Sequence, residues 1–199
     1  MHDPHYDYQG SKIGMWLFLF TEVLLFGGLF LLYAVYLHKH PAAFHHAGLE
    51  LSRIFGTVNT VVLISSSATA ALSITALQKN NPQLSRRLLL VTVALALLFL
   101  VNKYFEWSAK IHHGIYPNSP DLLARPEGEI VFFGLYYVMT GLHGIHVILG
   151  GALLLYTHWL IGLGRVTQER FVMLENAVLY WHLVDLVWIY LFPLFYLIT

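Results

Sequence analysis

The sequence contains no cysteine and few charges: among 199 residues, 11 are basic and 11 acidic, so the formal net charge is zero. Without cysteine there is no disulfide framework, thiolate zinc site, iron–sulfur cluster or cysteine nucleophile, and no copper centre built on cysteine sulfur. Balanced charge leaves no basic footprint for nucleic acid, so no nucleic-acid partner is expected. Any chemistry must therefore use His, Glu, Asp and backbone. What is abundant is apolar: 57% of the chain is hydrophobic and only 11% is charged, which argues against a soluble domain.

Crossing about 30 Å of hydrocarbon takes roughly 20 apolar residues at 1.5 Å each. Five runs meet that length, near 13–37, 53–78, 88–110, 129–161 and 171–198. Between them lie most of the charges and turn formers: Lys39 to Pro41, Lys79 to Pro82, Pro117 to Pro126, and Gly162 to Arg170. The expected fold is all-α, an integral membrane bundle of five transmembrane helices forming one membrane domain over 1–199. The first run is too long for a signal-peptide core and reads as a retained span. Lys and Arg in the loops set orientation. Lys12, Lys79, Arg86, Arg87, Arg165 and Arg170 fall on one side, against Lys39, Arg53, Lys110 and Arg125 on the other. Six against four places the N-terminus in the cytoplasm and the C-terminus outside.

Small residues mark helix contacts, because in lipid close approach requires short side chains. The second span runs Ser65 to Ala71 in small residues, and the fourth carries Gly141, Gly144, Gly150 and Gly151. Tyr104, Trp107, Tyr136, Tyr137, Trp159, Tyr180, Trp181 and Trp188 are mostly near span ends or beside the polar in-span residues, and an interfacial belt accounts for several of them. His38, His40, His45, His46, His112 and His113 read as solvated loop residues.

Ionisable groups inside spans are costly, so each one counts. Glu22 lies about ten residues into the first span, near the midplane. It is either a proton-related, carboxyl-reactive site or a neutral carboxyl hydrogen-bonded to a neighbouring helix. His143 and His146 share one helical face, as do His182 and Asp185, in the middle of their spans. They read as a structural polar layer, a His–Asp hydrogen-bond network that sets helix register. The functional alternatives are a haem held by two imidazoles, a metal site or a proton relay. Glu106 follows Lys103 by three residues near the outer end of its span, which fits an intrahelical pair at the interface and makes the two a secondary candidate site.

Four stretches then resemble one family: G-M-W-L-F-L-F-T-E-V-L-L-F at 14–26, N-T-V-V-L-I-S-S at 59–66, T-G-L-H-G-I-H-V-I-L-G at 140–150 and Y-W-H-L-V-D-L-V-W at 180–188. In order and spacing they are similar to subunit III of the haem-copper cytochrome c oxidases, short five-helix form. The resemblance implies an accessory, non-redox subunit of a proton-pumping terminal oxidase in a bacterial inner membrane, multi-pass, with no catalytic residue and no metal of its own. It implies that Glu22 matches the family's carbodiimide-reactive membrane glutamate, and that His143, His146, His182 and Asp185 match paired motifs that are not redox ligands. It further implies haem and copper in partner subunits I and II, bound phospholipid, and support of assembly, proton uptake and stability of the catalytic subunit. Longer members have seven spans, and this chain begins where their third begins. Quinol-oxidase and nitric-oxide-reductase-associated homologues share the short form. Outside the family, the competing readings are a bis-histidine haem anchor using His182 with His143 or His146, and a small transporter relaying protons through Glu22 and Asp185.

Overall fold

The computed structural model describes residues 8–197. Among these there are seven helices and no strand: α1 (Tyr8–Lys39), α2 (Pro41–Leu49), α3 (Arg53–Gln78), α4 (Pro82–His112), α5 (Pro120–Leu123), α6 (Glu127–Gly162) and α7 (Val172–Tyr196). Five of them, α1, α3, α4, α6 and α7, are long and apolar enough to cross a membrane. The last expected span, 171–198, ends outside the described residues.

The helix boundaries follow local chemistry. α4 begins at Pro82, six residues before the expected 88, because the sequence Asn80-Asn81-Pro82 terminates one helix and starts the next. Asn80 takes a left-handed φ of 55°, a conformation that Asn tolerates. The Asn81 side chain accepts from Leu84 N at 3.0 Å as N-cap, with Pro at the first helical position. Arg86 and Arg87 are therefore helical and not loop residues. The loop expected after Lys39 holds α2 instead, started by Pro41 and closed against α6. Before α6, Gly114 and Asn118 take positive φ values of 71° and 65°, and Ser119 caps α5 by accepting from Leu122 N at 3.0 Å.

Four spans form a closed ring in which α3 packs on α4, α4 on α6, α6 on α7 and α7 on α3, while α1 lies outside against α6 and α7. In the most apolar stretch of α1, 11% of the residues are buried, against 50% in α7. α7 is thus the hub and α1 the rim. The small residues of α3 do more than permit close approach. Ser66 Oγ accepts the indole N–H of Trp181 at 3.1 Å, and Thr60 Oγ1 accepts that of Trp188 at 3.0 Å. Trp181, Trp188 and Tyr136 are fully buried, so they belong to the core and not to an interfacial belt. Gly150 is required where α6 meets α7, since a Cβ there would lie 2.8 Å from the Trp181 ring. At one end of the ring, Tyr33, Phe44, Phe132, Tyr136 and Phe195 interlock edge-to-face with centroids 5.1–5.5 Å apart, within the favourable range for aromatic quadrupoles.

Candidate functional site

Glu22 lies midway along α1, and one turn further on Phe26 sets its ring edge-on to His146 at 5.1 Å. That contact holds α1 on α6 with the carboxyl facing the imidazole. His146 Nε2 lies 2.9 Å from Glu22 Oε2, with both side chains largely shielded. The other ring nitrogen, Nδ1, lies 2.7 Å from the carbonyl oxygen of Leu142. A carbonyl only accepts, so Nδ1 carries a hydrogen. The contact between Nε2 and Oε2 then contains one proton. Either the carboxylic acid donates to a neutral ring, or an imidazolium donates to a carboxylate. In both cases the pair shares a single exchangeable proton near mid-membrane, on the rim helix.

The remaining in-span residues do not join this contact. His143 is fully buried between Phe99 and Trp188, at 5.5 Å and 5.3 Å between ring centroids, and neither nitrogen has a hydrogen-bond partner. His182 Nδ1 lies 2.6 Å from Ser67 Oγ. Asp185 is buried beside Ser67, the hydroxyl that His182 meets, and neither carboxyl oxygen makes a hydrogen bond of normal geometry. The expected His–Asp network is replaced by a Glu22–His146 pair and a His182–Ser67 pair, each across a different helix interface. Residues three apart on one helix share a face but still meet different neighbours, and that divides these pairs. The imidazoles of His146, His182 and His143 meet a carboxyl, a hydroxyl and an aromatic sandwich respectively.

Lys103 and Glu106 form the expected intrahelical pair, and both are buried within the bundle: Glu106 Oε2 accepts from Lys103 Nζ at 3.0 Å. Glu106 Oε1 accepts the hydroxyls of Tyr136 at 2.7 Å and Tyr196 at 2.6 Å. Lys103 also donates to those two hydroxyl oxygens, at 3.2 Å and 2.8 Å. The ammonium's three donors are thereby all used, and the carboxylate accepts three hydrogen bonds, which is how a buried ion pair becomes tolerable. Lys103 lies over the faces of Tyr136, Trp188 and Tyr196 as well. The two tyrosines come from α6 and α7, at sequence separations of 30 and 90 from Glu106. Only the Lys-x-x-Glu spacing was visible locally.

A second cluster sits at the same end. Arg125 donates to Glu50 at 2.5 Å and to Glu129 at 3.2 Å, while His46 Nδ1 lies 3.0 Å from Glu129. The hydrogen bond that Arg125 donates to Glu50, and the negative charge of Glu50 and Glu129, push the guanidinium above its ordinary range. His46, Glu50 and Glu129 place ligand-type atoms within 4.8 Å of one another, but Arg125 holds both carboxylates. His46, read from sequence as a solvated loop residue, is exposed but lies on α2, and its contact with Glu129 was missed because the second and third spans separate the two. A cavity of about 540 Å³, lined in part by Glu50, Arg125, Lys110 and Glu106, connects this cluster to the buried ion pair.

Five helices long and apolar enough to cross a membrane, four of them closed into a ring with the fifth on its rim, define a multi-pass membrane protein. Over residues 2–199 the chain matches the family model of cytochrome c oxidase subunit III. It is 32% identical over 196 residues to the cytochrome c oxidase subunit 3 of Thermostichus vulcanus, covering 98% of this chain and 90% of that one. To the cytochrome c oxidase subunit 3 of a Synechocystis strain it is 32% identical over 198 residues, covering 99% and 78%. It is also 31% identical over 205 residues to a protein of Aeropyrum pernix named heme-copper oxidase subunit I+III, of which it covers 24%. The chain belongs to the cytochrome c oxidase subunit III family. It is an accessory subunit III of a haem-copper oxidase, and respiration, proton translocation and a complex with subunit I follow from that membership. Membership is compatible with a chain that carries no redox cofactor.

Proposed function

We propose that this chain is the subunit III of a proton-pumping cytochrome c oxidase in a bacterial plasma membrane. It sits against subunit I, within a complex that includes subunit II, and leaves haem and copper to those partners. Its N-terminus lies in the cytoplasm and its C-terminus outside, in line with the loop charges, and 1–199 acts as one membrane domain. The observation that carries the proposed role is the Glu22–His146 contact: a single proton held at mid-membrane on the helix that the bundle leaves most exposed. On that helix a partner subunit has access to the neighbourhood of the pair, and the pair anchors α1 to α6 while it is there. Glu22 is the carboxyl-reactive site, and its role is to hold α1 and the adjoining catalytic subunit in the arrangement that keeps proton uptake open and stable during turnover. His143, His182, Asp185, Lys103 and Glu106 serve packing and register inside the bundle. The Aeropyrum relative, whose name joins subunits I and III, supports a chain that lies beside the catalytic subunit.

The test is to pull a tagged copy from its native membrane in mild detergent and record a reduced-minus-oxidised visible spectrum. Oxidase haems that arrive with larger subunits, and stay with them once this chain is stripped away, are the expected result. Haem retained on this chain alone would overturn the reading.

A further inference from the structure

His46 lies on α2, Glu50 closes that helix as its C-cap, and Glu129 stands in the first turn of α6. Residues four apart share one side of a helix, which turns His46 and Glu50 toward the same neighbour. Gly128 lets α2 come close, since a Cβ there would lie 2.6 Å from the Ala43 methyl and 2.7 Å from His40 Cβ. The three side chains thereby bring an imidazole nitrogen and two carboxylate oxygens within 4.8 Å of one another. His46 is 68% exposed, yet its Nδ1 lies 3.0 Å from Glu129 Oε1, on a carboxylate that is 8% exposed.

Arg125 occupies only part of this cluster. Its Nη1 donates to Glu129 Oε2 and to Glu50 Oε1, and each carboxylate has a second oxygen for another cation. Contacts of this kind hold ligating carboxylates in orientation. Two carboxylates against one guanidinium leave these side chains with negative charge in surplus, while Lys110 donates to the Glu50 backbone carbonyl at 3.2 Å and not to its carboxylate. A mixed imidazole and carboxylate donor set suits zinc, whereas calcium and magnesium take oxygen ligands. Around a tetrahedral zinc the donors stand roughly 3.4 Å apart. His46 and Glu129 are already within that distance, so any closure falls to the Glu50 side chain, 28% exposed at the end of α2.

We infer that His46, Glu50 and Glu129 bind one zinc ion that ties α2 to α6, with the fourth position left to water and Arg125 orienting both carboxylates. One residue separates α1 from α2, so an ion that fastens α2 also fastens the adjoining end of the rim helix. The site is structural, with no redox step. It rests on these side chains and not on the oxidase reading above.

The test titrates zinc into the complex purified in mild detergent and treated with a chelator, and reads the bound ion at the zinc K-edge, to which haem iron and copper do not contribute. Wild type should take up one more zinc at micromolar concentration than His46→Ala, with only nitrogen and oxygen neighbours at about 2.0–2.2 Å and the scattering of one imidazole. His46→Ala removes an exposed side chain, so the fold persists, and its zinc affinity should fall at least about tenfold. Glu50→Gln should weaken zinc as well. Millimolar calcium or magnesium should leave the ion bound. Equal zinc uptake with the same imidazole signal in wild type and His46→Ala overturns the inference, as does unchanged affinity in Glu50→Gln. Calcium that displaces zinc at millimolar concentration also overturns it, since the cluster would then be an unselective acidic patch. Zinc uptake is read on the variants of this chain, so the outcome is independent of whether the spectrum test finds oxidase haems.

Discussion

His146 meets Glu22 through Nε2 at 2.9 Å while its Nδ1 donates to Leu142. The backbone bond fixes the tautomer, so the carboxyl on α1 and the ring on α6 form a one-proton unit across the interface that holds the rim helix to the bundle. Glu22→Gln keeps this geometry, because a carboxamide N–H also donates to a neutral Nε2. We predict near-normal assembly of Glu22→Gln with complete loss of carbodiimide labelling on this chain, read as the mass adduct on the peptide that contains residue 22. Unchanged labelling would show that another carboxyl reacts.

The Lys103–Glu106 pair is expected to be strongly non-additive. Lys103→Met leaves an unpaired buried carboxylate and should cost about 3–5 kcal/mol, whereas Lys103→Met combined with Glu106→Gln should recover most of that loss. Thermal unfolding of the purified variants in one detergent reads both values. A double variant no more stable than Lys103→Met alone would show that the stranded carboxylate is not what destabilises the single variant.

Ser66 and Trp181 make a similar but neutral couple between α3 and α7. Ser66→Ala strands a buried indole N–H and should cost about 1–3 kcal/mol. If that stranded donor is the cause, Ser66→Ala should cost much less in a Trp181→Phe background, where no indole remains. Chemical denaturation of the four proteins completes the cycle.

Gly150 is set by contact and not by backbone conformation. Gly150→Ala places a methyl 2.8 Å from the Trp181 ring, forcing α6 and α7 apart at a cost of about 1–3 kcal/mol. Gly151, one residue on, has open space at its Cβ position, so Gly151→Ala should be tolerated. Comparing the two unfolding temperatures, with Trp emission as the local probe, separates crowding from a general loss of helix packing.

Hydrophobic length made the five spans legible, because the bilayer demands it and nothing else in a chain this size produces such runs. The family was legible in four ordered motifs. Glu22 and His146 were each legible as costly in-membrane residues, but their pairing was not, since 124 positions separate them and His143 stood as an equal candidate. Helical periodicity places His143 and His146 on one face. It does not say that the first points inward, between Phe99 and Trp188, and the second toward α1. The short helix α2 was missed because its nine residues are fewer than a helical period needs to show.

The sequence alone determined what depends on composition and local spacing: a cysteine-free, charge-poor chain must be a helical membrane bundle, and Asn80-Asn81-Pro82 must turn the chain there. Tertiary structure alone decided which polar groups meet. The ring of α3, α4, α6 and α7 turned Lys103–Glu106 from an intrahelical pair into the centre of a network with Tyr136 and Tyr196. It also left Asp185 without a hydrogen bond of normal geometry and brought Arg86 to His158. In a low-dielectric interior every such group depends on partners from distant segments, and those partners are set by how the helices rotate against one another.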